Sequence, residues 1–226
     1  MTKSTARVAL LAAACLTFAP AARAAAPGGL PPDLVAQLQK IKALTADFRE
    51  EKRMAILVTP IVRTGSIAYE APGRLAQEVK QPSPSRLVLD GKVLTMAEGG
   101  DRHVIDIDQQ PAVGLLVRLL LGVLAGDVQA LQQHARITFH AAAAAKKTAA
   151  RPGSKPAPGW SLDLQPQDPL LAKLIKSMSV SGRDAVVDVL TIVDANGDRT
   201  VTTFSNVKLL PALSPQERAA RFGLGP

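Results

Sequence analysis

The sequence has little that supports thiol, metal or aromatic chemistry. Its 226 residues include one cysteine, one tryptophan, one tyrosine and five phenylalanines. A single cysteine excludes an internal disulfide and any metal site built from several cysteines. The shortage of aromatic residues argues against nucleic-acid binding, which combines clustered cations with aromatic stacking surfaces. Any core or cavity must therefore be built mainly from Leu, Val, Ile and Ala.

Motifs for catalysis and cofactor binding are also missing. The three histidines, His103, His134 and His140, stand on separate predicted elements without the i, i+4 spacing of a helical metal pair. No Gly-x-Ser-x-Gly elbow, Ser-x-x-Lys motif or phosphate-binding glycine loop occurs. We therefore expect no enzymatic activity, no metal and no cofactor. A hydrolase acting on envelope lipids would lack its nucleophile.

The N-terminus has the three-part pattern of an export signal. A basic start with Lys3 and Arg7 is followed by the apolar run Val8–Pro20 and by a small-x-small cleavage site at residues 22–24. The apolar run is too short to span a bilayer as a helix, which needs roughly 20 residues. We predict a signal peptide over residues 1–24 and an exported protein in the periplasm.

Removal of this segment changes the charge and takes away the only thiol. The basic residues fall from 27 to 24 against 19 acidic ones, so the formal charge falls from +8 to +5. Cys15 is lost with the segment, so neither strong basicity nor thiol chemistry remains as a guide. The alternative is a lipoprotein signal in which Cys15 is the lipidated residue.

The mature chain predicts a helix followed by an antiparallel sheet. A linker over residues 25–32 precedes Asp33, where an amphipathic helix of about three turns begins. From Thr45 the apolar period changes to two, and turn sequences such as Asp90-Gly91 separate about ten short β-prone runs. We predict an α+β fold, mainly antiparallel β, with one strongly curled sheet in a single domain over residues 33–226.

Two segments depart from the strand pattern. Pro111–Ala125 is apolar around its whole circumference except at Arg118, so a helix there must be covered on all sides. It is interpreted either as a buried core helix or as a mobile lid over an apolar cavity. Residues 143–159, rich in Ala with scattered cations and prolines, predict a flexible basic loop. An alternative role for this loop is contact with an anionic lipid surface.

A series of short motifs follows along the mature chain. In order, they are Leu44–Phe48, Gly65–Ile67, Pro72–Leu75, Pro84, Leu87–Lys92, Pro111–Leu121, Asn196–Thr200 and Phe204–Val207. Their order and spacing resemble those of the LolA-like family, the periplasmic carriers of outer-membrane lipoproteins, over nearly the whole mature chain. Members of that family usually place an arginine before the strand-ending proline, where this sequence has Ala71.

The resemblance implies both a fold and a function. The fold is an incomplete β-barrel whose open side is closed by a helical lid. The function is to bind acyl chains of lipoproteins or related lipids in a hydrophobic cavity and to shuttle them from the inner to the outer membrane. The implied partners are an acylated lipoprotein or other lipid cargo, an inner-membrane transporter as donor and an outer-membrane acceptor. We expect a monomer with only peripheral membrane contact.

The candidate site residues are apolar side chains of the predicted sheet and helix. The sheet candidates for a lipid-binding cavity are Phe48, Ile67, Tyr69, Leu75, Val88 and Met96. The lid candidates are Leu115, Leu116, Arg118, Leu119, Leu120 and Val123. Arg118 would hold the lid closed, meet a head group or extend to solvent.

A second interpretation needs no ligand. An apolar strand face serves ordinary core packing as well as ligand binding. On this interpretation the chain is a non-enzymatic periplasmic structural or interaction module whose sheet and helix form one closed core. Detection of lipid bound to the purified protein would distinguish the carrier from the ligand-free module.

Overall fold

The elements below come from a computed structural model that describes residues 29–141 and 159–223. The predicted signal peptide and all but the last residue of the predicted 143–159 loop lie outside these ranges. In chain order the elements are α1 (Pro32–Leu38), β1 (Ala43–Arg53), β2 (Ile61–Glu70), β3 (Arg74–Gln81), β4 (Ser85–Asp90), β5 (Val93–Glu98), β6 (Asp101–Asp106), α2 (Pro111–Ala125), α3 (Val128–His134), β7 (Ala135–Ala141), β8 (Trp160–Pro166), α4 (Pro169–Ala172), β9 (Ile175–Arg183), β10 (Val186–Asp194), β11 (Arg199–Leu210) and α5 (Pro215–Phe222).

The eleven strands form one antiparallel sheet made of two meanders. Its strand order is β6-β5-β4-β3-β2-β1-β11-β10-β9-β8-β7, so the chain starts at the centre and reaches one edge at β6. Helices α2 and α3 then lead to the opposite edge at β7, and the second meander returns to the centre. There the first and last strands pair along their length, from Ala43 opposite Leu210 to Arg53 opposite Arg199.

The sheet is strongly curled and is not closed. Tyr69 of β2 lies in the same buried cluster as Leu162 and Leu164 of β8, five strands away. A flat sheet with strands about 4.8 Å apart would hold them more than about 20 Å apart. The edge strands β6 and β7 do not pair with each other in the described part of the chain. The predicted incomplete, mainly antiparallel barrel is therefore confirmed.

Helix α2 covers the inner, concave face of the sheet. Its residues Leu119 and Val123 belong to the larger core cluster, together with side chains of α1, α3 and strands β7 to β9. Val113 and Val117 pack instead on a second cluster built by Leu89 and neighbouring side chains of β4 to β6. One helix thus bridges both halves of the curled sheet, which is why it must be apolar on nearly every side.

The C-terminal helix α5 packs on the outer face, against β3 and β4. Ser214 and Glu217 form a capping box at its N-terminus. Arg218 donates from Nε to Glu70 Oε2 over 2.8 Å, and this hydrogen bond holds the pKa of Glu70 below its ordinary value. Arg74 pairs with Asp90 and lies 6.0 Å from the ring of Phe222. Arg74 therefore contacts residues on the outer face of the sheet and does not hold α2 in place.

The helices differ most from the sequence prediction. α1 ends at Leu38, so it has about two turns instead of three, and Ile41 reaches the same core cluster from beyond the helix. Helices α3, α4 and α5 were not predicted. The signal for α5 was present, because Ser214-Pro215-Gln216-Glu217 is a capping-box sequence with proline at the first helical position.

Candidate functional site

An apolar cavity of about 160 Å³ lies between the concave face of the sheet and helix α2. Four of the side chains that line it are polar, namely Glu50, Gln77, Thr200 and Thr202. The apolar lining comes from α1, α2, six neighbouring strands and the connections before β1 and before β10: Leu38, Ile41, Leu44, Ala46, Phe48, Ile67, Leu75, Leu120, Val123, Leu124, Met178, Val180, Ala185, Val186, Val187, Leu190, Ile192, Phe204, Val207 and Leu209. A cavity with this lining favours a hydrocarbon over water.

The strand alternation explains how so many apolar side chains reach one space. On β1 every second residue from Leu44 to Glu50 points to the concave face and lines the cavity. Six residue steps at about 3.3 Å give the lined groove a length of about 20 Å. Phe48 pairs directly with Phe204 of β11, and directly paired residues share a face, so the inward pattern continues across the sheet.

Strand β10 differs from its neighbours in burial. All nine of its residues, Val186–Asp194, are only partly buried. On the adjacent strand β9, the inward residues Met178 and Val180 are fully covered. The inward side chains of β10 therefore remain accessible from the cavity, as expected for a strand that borders a space a ligand could fill.

Three of the six predicted sheet residues line the cavity: Phe48, Ile67 and Leu75. Tyr69 also faces inward, between the lining residues Leu44 and Leu75, but it is fully buried in the core cluster. Met96 pairs with Leu87 on the concave face, beyond the cavity.

Val88 occupies the other face of the sheet. It lies between Leu87 and Leu89 on β4, and both of these pack on the α2 side. Because side chains alternate along a strand, Val88 points outward, where it pairs with Thr95. The cavity lining does not include it.

The predicted lid residues of α2 divide between two roles. Leu120 and Val123 line the cavity, together with Leu124. Leu119 is 1% exposed inside the core cluster, and Leu115 and Leu116 pack against that cluster while partly exposed.

Arg118 lies outside the cavity lining, on the exposed side of α2. Its Nη2 donates to Asp108 Oδ1 over 3.0 Å, and Asp108 also pairs with Lys92. The hydrogen bond from Lys92 and the charge of the same side chain, followed by the charge of Arg118, keep the pKa of Asp108 below its ordinary value. This ion-pair network ties α2 to the turn after β6 and to the turn of the β4–β5 hairpin. It is solvent-exposed, so it restrains the helix weakly.

A charged group lies at one end of the mainly apolar lining. The Glu50 carboxylate is largely buried and accepts hydrogen bonds from Arg63 Nε over 2.8 Å and from the Thr202 hydroxyl over 3.4 Å. These partners satisfy a carboxylate that would otherwise be costly to bury beside hydrocarbon.

The lining residues of β9 to β11 were not among the sequence-predicted site residues. The signal was present, because Leu190 and Ile192 alternate with Thr191 in the manner of a half-buried strand. What the sequence lacked was the pairing of β1 with β11, which brings the second meander to the same cavity.

Tyr69 offers a test of the cavity-side core. Its hydroxyl is buried and has no hydrogen-bond partner within the described residues, and burial raises its pKa. Because an unsatisfied buried hydroxyl costs roughly 1–3 kcal/mol, we expect Tyr69→Phe to raise the free energy of unfolding by about that amount. Urea denaturation at pH 7, followed by Trp160 fluorescence, measures it.

The same substitution has a pH signature. The folded state keeps the Tyr69 phenol neutral, so stability is complete below the unfolded pKa of about 10 and falls as the pH rises above it. Tyr69→Phe should lose this alkaline component, and the wild-type chain is the control. A less stable Phe variant would show that the hydroxyl is hydrogen-bonded.

In the described ranges, no helix has both the length and the apolar character needed to cross a membrane. Those ranges also contain no cluster of three or more His, Cys, Asp or Glu side chains placed to hold a metal ion.

Comparison with known proteins gives structural neighbours only. No protein-family model matches the sequence, and no curated protein matches it significantly. A LolA superfamily protein from Nitrosomonas europaea is similar in structure, with 9% identity and a TM-score of 0.42 over 82% of this chain and 94% of that one. MucB gives 12% identity and a TM-score of 0.45, with 82% of this chain covered but 60% of MucB.

A third similar structure is the lipoprotein LppX of Mycobacterium tuberculosis, with 14% identity and a TM-score of 0.37 over 79% of this chain and 96% of that one. The sequence resemblance to LolA-like proteins thus agrees with a likeness of structure. At these identities and scores it does not show what this chain binds.

Proposed function

We propose that this protein is a non-enzymatic carrier that binds acyl chains of a lipoprotein or related lipid in the cavity under α2. The observation that supports the proposal most strongly is the cavity itself, which is apolar over nearly its whole lining and runs along β1 from Leu44 to Glu50. Each methylene removed from water there would contribute about 0.8 kcal/mol to binding. Holding a hydrocarbon needs no covalent step, in keeping with the lack of catalytic motifs in the sequence.

The size of the cavity indicates that α2 moves when a long chain binds. A dry cavity of about 150 Å³ in another protein admits benzene, so the 160 Å³ found here matches only a short piece of an acyl chain. The groove below is about 20 Å long, so displacement of Leu120, Val123 and Leu124 would expose a much longer apolar surface. Helix α2 thus acts as a lid on this proposal.

The cellular role follows from the sequence pattern together with the cavity. An export signal over residues 1–24 would place the 33–226 domain in the periplasm, where a lipid crossing water needs a cover for its acyl chains. Transfer from an inner-membrane donor to an outer-membrane acceptor is the role we propose.

The deciding experiment analyses the protein purified from the envelope of cells that export it. Lipid extraction followed by mass spectrometry should give acyl species in near-stoichiometric amount. The delipidated protein should then bind dansylaminoundecanoic acid saturably. The absence of both would reject the carrier function and favour the ligand-free structural or interaction module.

A further inference from the structure

The loop between β1 and β2 exposes a cluster of large apolar side chains. Ile56 is 83% exposed, Val58 103%, Leu57 43% and Ile61 40%. Single exposed apolar residues are ordinary, but four within six positions on one hairpin tip form a patch. Such a patch marks an interaction surface.

The base of the loop is fixed by hydrogen bonds. The Leu57 amide donates to the Met54 carbonyl over 3.0 Å, and the Ala55 amide donates to the Asp198 carboxylate over 3.3 Å. Asp198 is itself buried and accepts a second hydrogen bond from Asn196 in the β10–β11 turn. The apolar tip is therefore presented from an anchored base.

Cations surround this base. Arg53 and Arg199 lie opposite each other where β1 leaves the sheet and β11 enters it, and Lys176 reaches the β10–β11 turn beside Gly197. Arg53 pairs with Glu51, whereas Arg199 and Lys176 are exposed and form no ion pair within 4.0 Å in the described part of the chain. An apolar tip above unneutralised cations matches a bilayer, with its hydrocarbon interior and anionic head groups.

The loop lies at one end of the cavity. Glu50 lines the cavity, and Met54, where the loop begins, follows four residues later, about 13 Å along the strand. Thr200 lines the same end, one residue after Arg199. A surface that meets the loop would therefore also meet this end of the cavity.

We propose that residues 54–61 form a membrane-contact loop: Ile56, Leu57 and Val58 enter the hydrocarbon of an anionic bilayer while Lys176 and Arg199 bind its head groups. This contact places the Glu50 end of the cavity next to the membrane. A role for the contact in lipid transfer rests on the proposed carrier function, but the binding of the loop to a bilayer does not depend on that function.

The test measures partition of the purified protein onto vesicles of phosphatidylglycerol and phosphatidylcholine by co-sedimentation. Val58→Asp should lower the partition coefficient on the order of tenfold or more, because one apolar side chain no longer enters the hydrocarbon. Val104→Asp is the matched control, since Val104 is an exposed valine on edge strand β6, and it should leave the partition unchanged. Lys176→Gln and Arg199→Gln should each lower it roughly fivefold on anionic vesicles and not on pure phosphatidylcholine.

Equal partition of the Val58 and Val104 variants would overturn the membrane-contact loop, and so would a wild-type chain that fails to bind the vesicles. The carrier function is read separately, from binding of dansylaminoundecanoic acid in solution, which Val58→Asp should leave unchanged. Loss of vesicle binding with intact probe binding in that variant supports the loop. Failure of the wild-type chain to bind the probe, together with vesicle binding that depends on Val58, would reject only the carrier.

Discussion

A Leu190→Asp protein is expected to keep its fold and to bind dansylaminoundecanoic acid at least about 100-fold more weakly than the wild-type chain. Leu190 lines the cavity from β10, paired with Thr202 on one side and Val180 on the other. An acyl chain placed over the new carboxylate would remove it from water without a partner, which costs several kcal/mol. A 100-fold loss corresponds to about 2.8 kcal/mol.

Leu190 suits this test because it is only partly buried, so the empty cavity leaves an aspartate there in contact with solvent. The control is Thr191→Asp, one residue further on the same strand and on the opposite face of the sheet. It adds the same charge at a residue that is also only partly buried. Equal probe affinities for the two variants would show that the cavity under α2 is not where the acyl chain binds.

Leu119→Asp should have the largest effect on stability, lowering the free energy of unfolding by at least about 3 kcal/mol. Leu119 is 1% exposed and belongs to the main core cluster. It lies on the side of α2 that packs against other core residues and does not line the cavity. Removing a buried leucine costs about 2–5 kcal/mol, and an unpaired buried charge adds to that cost. Urea denaturation reports it through Trp160, the single tryptophan, whose indole donates to the Asp184 carbonyl over 2.8 Å.

The adjacent residue provides the comparison. Leu120 is partly buried and lines the cavity, so Leu120→Asp should lower stability by less than about 2 kcal/mol while weakening probe binding strongly. The two neighbouring substitutions therefore separate the packing side of α2 from its cavity side. Similar stability losses in both would mean that α2 is an ordinary core helix without a ligand-facing side.

The alternation of apolar and polar residues along single strands predicted most strands of the sheet but not which strands contact each other. The period-two pattern around Ile67 and Leu75 was sufficient to assign both to an inward face, because that pattern is local. The sequence predicts Val88 in the cavity, but Val88 points outward. The run of three apolar residues, Leu87-Val88-Leu89, carries no alternation to show which face each residue takes.

The cavity itself was harder to predict from sequence. It depends on the pairing of β1 with β11, which joins residues about 150 positions apart, and single-strand patterns contain no record of such a pairing. The apolar segment Pro111–Ala125 was correctly predicted as a helix. Its division into a packing side at Leu119 and a cavity side at Leu120 depends on the curl of the sheet, which composition does not encode.

The central position of β1 and β11 has a consequence for how the protein is made. β11 is the last strand of the sheet, and it supplies Thr202, Phe204, Val207 and Leu209 to the cavity. A chain that lacks β11 would therefore have two separate meanders, of six and four strands, and no enclosed apolar space between them. Pairing over so long a separation makes folding slow compared with a locally connected sheet. The enclosed apolar space would therefore form only at the end of folding.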